Sequence, residues 1–399
     1  MTPSQLATIQ ELLPRLHRHI TTASQQNDVS LMGGKMGFAL FEAYYNHHFG
    51  VEDDNQLWEY ISDSLSKVQE GELIHSFASG IAGIAWTFLH LHNQGLLQDD
   101  ELDAQGIVEG LDEGLFEISM AMLKEGDFDY LHGGLSAAMY FLERTPSPQI
   151  ATYIAQLVEQ LSAVAVRFDS GDITWKFLNF NSYDLTTARD YNLGLSHGTA
   201  SITAILSLFY EQGYAPERCQ ELITGNLQWM WRVRNKACHS VFPNTVTDTP
   251  ADQESRLAWC YGDLGIANTF WLAGEKLNQQ AWKDIAAQTV RQAATRHDDD
   301  LRVNDAPLCH GAVGAAYLFQ RFAERLQDPL LEAAATAWMQ KGLDLALLPT
   351  QEDVFLTYRG IDGGYTSNLS VLDGEAGIGL AFLSALGGAK TWDRFLLIS

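Results

Sequence analysis

Gly80-Ile-Ala-Gly-Ile-Ala-Trp-Thr-Phe-Leu-His-Leu91 is the stretch that decides the fold. Two glycines three residues apart open it, and an apolar run follows. The same phrase starts again at Gly34 (GKMGFALFEAYY), Gly133 (GGLSAAMYFL), Gly198 (GTASITAILSLF), Gly262 (GDLGIANTFWLA), Gly311 (GAVGAAYLFQRF) and Gly374 (GEAGIGLAFLSAL). Ser136 and Ser201 replace the second glycine in their copies. A fixed phrase at a variable spacing means one supersecondary unit repeated with connections of different length.

Each unit has room for two helices. The run behind the glycines is apolar nearly all round, which marks a buried helix. The segments between, such as Asp53–Gln69 and Gln279–Arg296, are amphipathic and read as outer helices with one wet face. The expected fold is therefore all-α, with seven inner and seven outer helices in a single domain over residues 1–399. The first and last phrases are as apolar as the middle ones. An open solenoid would need polar caps at its ends, so the reading favours closure into an α/α toroid, with the first and last units packed on each other. The glycines then lie at the starts of the inner helices. The residues just before them are Gly33, Ser79, His132, His197, Tyr261, His310 and Asp373, and these gather on one rim. The long stretches Phe168–Leu193, Phe242–Ser255 and Asp298–Pro307 read as loops over that rim.

The 399 residues carry 25 Lys plus Arg against 50 Asp plus Glu, a formal charge of −25. That balance argues against nucleic acid or an anionic membrane surface as partner. No stretch is long and apolar enough for a membrane span, and no signal-peptide pattern opens the chain. Four cysteines in a chain of this size do not make a disulfide scaffold. A cytoplasmic protein with reduced thiols is the expectation.

Two of those thiols carry the functional signal. Trp259-Cys260-Tyr261-Gly262 and Leu308-Cys309-His310-Gly311 occupy the same place in consecutive repeats. Two sulfurs and one imidazole suit Zn²⁺. Three protein ligands leave the fourth position open, as catalytic zinc sites do. A zinc of that kind can hold a substrate thiol as its nucleophilic thiolate. His197, in Gly194-Leu-Ser-His-Gly198, is on the rim and is a candidate general acid or base. Asp129 can orient an imidazole or take part in proton transfer. Arg256, four residues before Cys260, can stabilise an anionic intermediate or pair with a carboxylate. Cys219 and Cys238 lie outside the phrase and read as structural or surface thiols. The run Asp298-Asp299-Asp300 lacks the EF-hand spacing for calcium. Gly194-Leu-Ser196-His-Gly198 matches the nucleophile-elbow string, but the repeat makes it a helix start instead of the strand-to-helix turn that motif needs.

The phrases Gly194-Leu-Ser-His-Gly, Trp259-Cys-Tyr-Gly and Leu308-Cys-His-Gly, with the ending Trp392-Asp-Arg-Phe-Leu-Leu, resemble the lanthionine synthetase C-like family over essentially the whole chain. The resemblance implies an α/α toroid with one zinc, held by Cys260, Cys309 and His310. It implies addition of peptide cysteine thiols to dehydroalanine or dehydrobutyrine. His197 and Asp129 match the family's proposed acid/base residues, Arg256 its active-site arginine, and Tyr261 the tyrosine beside the first ligand. The implied partner is a dehydrated precursor peptide, with a dehydratase as a second candidate. Three rival readings remain at this point. They are glutathione addition to dehydrated proteins, a non-catalytic peptide-binding scaffold, and a glycosidase with Asp129 and Asp373 as its carboxylates.

Overall fold

The helix starts explain why the glycines recur. In this computed structural model, which describes residues 1–23, 27–97, 99, 101–178, 189–247, 252–296 and 302–399, the inner helices lack side-chain N-caps. The entering loop folds back over the helix end instead. The first two N–H groups of the helix at Ile81 donate to the carbonyls of Ile74 and His75, at 2.8 and 3.2 Å. Ala312 and Val313 do the same to Asp305 and Ala306, and Glu375 and Ala376 to Asn368 and Leu369. These bonds satisfy donors that a helix leaves unpaired at its N-terminus. The fold-back leaves no space for a Cβ on the first glycine. One built on Gly80 would lie 2.0 Å from the Ile74 oxygen, and one on Gly262 would lie 2.0 Å from that of Arg256. Gly262 also has a φ of +99°, which side chains rarely adopt.

Helices alternate along the chain as the pattern predicts. They are α1 Pro3–Ala23, α2 Lys35–Phe49, α3 Asn55–Glu70, α4 Ile81–Asn93, a short α5 Ala104–Val108, α6 Asp112–Glu125, α7 Ala138–Glu143 and α8 Pro148–Val164. They continue with α9 Thr199–Glu211, α10 Pro216–Arg232, α11 Asp263–Lys276, α12 Gln280–Ala294, α13 Ala312–Leu326, α14 Pro329–Leu343 and α15 Glu375–Ala385. The segments expected at 53–69 and 279–296 are α3 and α12. In α3 only Leu57, Tyr60, Ile61 and Ser64 are buried, at helical spacing. By contrast every residue of α15 from Glu375 to Ser384 is buried. Each fully buried Phe or Leu in such a helix contributes about 1.5–3 kcal/mol relative to exposure. The third phrase departs from the others. Its helix α7 starts late, at Ala138, although the fourth phrase, which also has a serine in place of the second glycine, starts α9 directly after Gly198.

Short strands were not expected. β1 (Val166–Arg167) and β2 (Ile173–Thr174) pair, β3 (Phe177–Leu178) pairs β4 (Arg189–Asn192), and β4 pairs β5 (Thr245–Val246). β6 (Leu356–Tyr358) pairs β7 (Tyr365–Ser367). All are antiparallel and lie in loop segments, two to four residues long, too short for the alternation that signals a strand in sequence. Asp298-Asp299-Asp300 lies outside the described residues.

The chain forms two compact units, Met1–Ala104 with Arg302–Trp392, and Gln105–Leu301 with Asp393–Ser399. Inside the first, α15 packs on α2 and on α1. A Cβ on Gly379 would meet the Phe41 ring at 2.4 Å, so the helices of the first and last phrases touch closely. Inside the second, α9 packs on α10 and α11. The chain end is tucked into that unit with Phe395, Leu396, Leu397 and Ile398 buried. Its carbonyls accept from Tyr130 Oη (2.9 Å), Trp259 Nε1 (2.8 Å) and Asn268 Nδ2 (2.7 Å). Three buried donors that would each cost about 1–3 kcal/mol unpaired are thereby satisfied. Among the described residues no helix is long and apolar enough to cross a membrane.

Candidate active site

The loops entering the inner helices share one frame, counted back from the residue after the first glycine. Seven residues back stand Asp28, Ile74, Asp127, Asn192, Arg256, Asp305 and Asn368. Four of these accept a backbone N–H two residues on, a local turn that Asp and Asn make well. Asp28 accepts from Ser30 (2.8 Å), Asp127 from Asp129 (3.1 Å), Asn192 from Gly194 (2.9 Å) and Asn368 from Ser370 (3.0 Å). Five residues back a hydroxyl does a second local job. Ser30, Ser76 and Ser370 accept the N–H of Gly33, Ser79 and Asp373.

Asp129 holds that second place in the third repeat. Its Oδ1 accepts from His132 N at 2.8 Å, as the serines do, and from Leu131 N at 2.8 Å. Its other oxygen accepts from His197 Nδ1 at 2.6 Å. Burial pushes the Asp129 carboxyl up, but the His197 hydrogen bond and charge, with those of His132, hold it below the usual aspartate range. Burial disfavours protonation of His197, yet the Asp129 hydrogen bond and charge, and the Cys260 charge, raise its pKa above the ordinary value. The geometry makes Nδ1 the donor to Asp129 and leaves Nε2 as the working nitrogen. The His132 ring stacks on that of His197, with centroids 6.0 Å apart.

Cys260 is buried in the same unit. Its carbonyl accepts from both the N–H and the Oγ of Ser196, each at 3.3 Å. Ser196 is thus buried and committed to Cys260, and β4 before it belongs to an antiparallel ladder. The nucleophile-elbow reading has no support in this geometry. Tyr261 places its ring 6.4 Å from that of His197, and its hydroxyl accepts from Asn192 Nδ2 at 3.0 Å. Arg256 is half-buried and stands where other repeats spend an Asp or Asn on the local turn. Its guanidinium makes no hydrogen bond or ion pair among the described residues. The peptide just before it is clamped, because Arg296 Nη2 donates to the Ser255 carbonyl at 2.5 Å. Arg296 in turn faces Asp263, which is wholly buried and accepts from Val241 N and Phe242 N. Burial pushes the Asp263 carboxyl up to about 6, against those hydrogen bonds and the Arg296 charge.

The first unit holds the other two predicted ligands. Cys309 is buried, and its N–H donates to the Leu372 carbonyl at 3.1 Å. His310 Nδ1 lies 3.9 Å from Asp373 Oδ1. None of the four cysteines is in a disulfide. Cys219 is the contrast: buried in α10 with its Sγ on the Tyr214 carbonyl, its thiol is pushed up to about 12 by burial, which makes it inert and structural.

The family model for lanthionine synthetase C-like protein matches residues 25–397. The chain belongs to the lanthionine synthetase C-like family. The nisin biosynthesis protein NisC of Lactococcus lactis subsp. lactis is 25% identical over 292 residues, 68% of this chain and 67% of that relative. The solved structure of a nisin cyclase superposes with a TM-score of 0.74 at 19% identity, covering 98% of this chain and 97% of that one. This likeness bears out the all-α fold class read from the repeats. Asn192, Asp263 and Arg296 escaped the sequence reading. The signal for Asn192 was present, since Asp or Asn recurs at its place in the repeat.

Proposed function

We propose that this lanthionine synthetase C-like protein is a zinc-dependent cyclase. It would add cysteine thiols of a dehydrated precursor peptide to dehydroalanine or dehydrobutyrine, forming lanthionine or methyllanthionine rings. The proposal takes residues 1–399 as one catalytic domain acting in the cytoplasm, with a dehydratase as the source of the substrate. Family membership and the likeness to the nisin biosynthesis protein support it.

The observation that carries the metal assignment is a contact between successive repeats. In three repeats the residue three before the inner helix bonds to its counterpart in the next repeat. Met32 N–H donates to the Ala78 carbonyl, Ser196 N–H to that of Cys260, and Cys309 N–H to that of Leu372. Cys260 and Cys309 hold this place in the fifth and sixth repeats, which follow one another in the chain. The donor set fits zinc: two thiols and an imidazole, with Asp373 near Nδ1 of His310 so that Nε2 would be the ligating nitrogen. Zinc held by Cys260, Cys309 and His310 would supply Lewis acidity that keeps a substrate thiol deprotonated near neutral pH.

The chain's own groups then handle protons and charge. His197 Nε2 takes the thiol proton, and the Asp129 carboxylate on Nδ1 stabilises the resulting imidazolium. The sulfur bonds to the β-carbon as the alkene electron pair moves toward the carbonyl oxygen. Arg256 and Tyr261 stabilise the charge that develops there. His197 returns the proton to the α-carbon, which closes the balance. Tethering both partners in one peptide supplies proximity. The test is direct. The purified protein should contain one zinc per chain and should convert a dehydrated, cysteine-bearing peptide to a product that thiol reagents no longer label. A metal-free protein with full ring formation would overturn the zinc assignment. A zinc protein that modifies only with added glutathione would overturn the cyclase assignment.

A further inference from the structure

Asn192 joins two hydrogen bonds whose direction is fixed. It ends β4, where its backbone pairs with Thr245, and the next N–H, that of Leu193, donates to the Asn244 carbonyl at 3.0 Å. Its side chain faces the Gly194 N–H at 2.9 Å and the Tyr261 hydroxyl at 3.0 Å. A backbone N–H can only donate, so the atom facing it is the amide oxygen. The amide nitrogen therefore faces Tyr261, and it can only donate. The Tyr261 oxygen is thus the acceptor in this bond, and its own proton is not engaged by Asn192.

The ring is fixed as well. A Cβ on Gly194 would lie 2.7 Å from Cε1 of Tyr261 and 2.8 Å from the Cys260 carbonyl, so the phenol lies directly on the Gly194 backbone. The repeat shows that the local turn does not need an amide. Asp28 and Asp127 make the same turn with a carboxylate, which has no proton to give. Asn192 adds the one thing a carboxylate lacks at that place.

We infer that Asn192 is a positioning residue that turns the Tyr261 hydroxyl into a hydrogen-bond donor toward the carbonyl oxygen of the dehydro residue. The inference rests on the cyclase reading above. As the carbon–sulfur bond forms, the alkene electron pair shifts onto that oxygen, and a donor held at the developing charge acts on the transition state more than on the ground state. Tyr261 keeps its proton throughout, and the α-carbon is protonated by His197.

The test uses the full-length zinc protein and a synthetic peptide with one cysteine and one dehydroalanine. Asn192→Asp keeps the acceptor for Gly194 and presents an acceptor to Tyr261, whose hydroxyl then turns toward it. The expected result is a fall of about 10²-fold in kcat with KM little changed, which matches loss of one oxyanion donor. Zinc content and far-UV circular dichroism should stay as in the parent. Tyr261→Phe should show the same fall, and the double variant no further fall, because the two act as one unit. Should Asn192→Asp fail to fold, Asn192→Ser decides. Its hydroxyl can accept the Gly194 N–H, as serine does in turns of this kind, and the amide donor is removed. Parental kcat in the folded variant, or a double variant that loses the product of the two single effects, overturns the inference. A parent protein that forms no ring overturns the cyclase reading itself, and is told apart by that result.

Discussion

The loop entering α2, Asp28-Val-Ser-Leu-Met-Gly-Gly34, and the loop entering α7, Asp127-Phe-Asp-Tyr-Leu-His-Gly133, are built on one plan. Both start with an aspartate whose carboxylate accepts the N–H two residues on. Both then place an oxygen acceptor under the N–H three residues further, Ser30 Oγ in one and Asp129 Oδ1 in the other. The first loop stops there. The second has a carboxylate where the first has a hydroxyl, and the spare oxygen holds His197. It also has His132 where the first has Gly33. The lesson is that the repeat supplies a rigid turn, and reactivity enters by changing one atom set without disturbing the turn.

The sharpest way to break this comparison is to erase the sulfur that distinguishes the sixth repeat from the seventh, where Leu372 stands in its place. Cys309→Ala should lose zinc and ring formation together while the helical signal persists. Elemental analysis and mass spectrometry of the peptide product read both. Next in size is Asp129→Ser, which gives the third loop the hydroxyl that the first has at that place. The serine hydroxyl keeps the turn, so the thermal midpoint should move by only a few degrees. Loss of the carboxylate on Nδ1 should cut kcat by about 10²–10⁴-fold, the range of a general acid or base step. A variant that keeps the parental pH–rate profile would show that the dyad has no part in proton transfer.

The dyad also makes stability depend on pH, and the two signs are opposite. His197 has a raised pKa in the folded state, so its contribution is full below the unfolded value of 6.5 and is lost as pH rises through the folded value. Asp129 has a lowered pKa, so its contribution is full above the unfolded value of 3.8 and is lost as pH falls through the folded value. Chemical denaturation across pH should show the ion pair's contribution greatest between 3.8 and 6.5, and this feature should vanish in Asp129→Ser. The smallest effect belongs to the silent loop. Ser30→Ala removes one hydroxyl acceptor from a buried turn and should cost about 0.5–1.5 kcal/mol, with no change in kcat. A loss of activity there would mean the first loop is not the inert member of the pair.

Much of the molecule was legible because its cause is local. The glycines are demanded by the fold-back of each entering loop, and the apolar runs by burial on every side of an inner helix. Both leave marks at fixed spacing, so the helix pairing, α3 and α12 among them, could be read directly. The roles of Cys260, Cys309, His310, His197 and Arg256 were proposed from residue type and place in that frame. Asp129 was less legible than these from sequence, since its phrase alone does not show that its carboxylate holds the imidazole of His197.

The amino-acid order alone encodes the repeat: the alternation of apolar and amphipathic helices and the residues that stand just before each phrase's first glycine. Tertiary structure decided the pairings between residues far apart in the chain. His197 meets Asp129, Asn192 meets Tyr261, and Arg296 reaches both Ser255 and Asp263. Helix periodicity and backbone sterics act over a few residues and therefore repeat along the chain. A hydrogen bond between distant loops depends on how separate helices pack, and no spacing in the sequence encodes it.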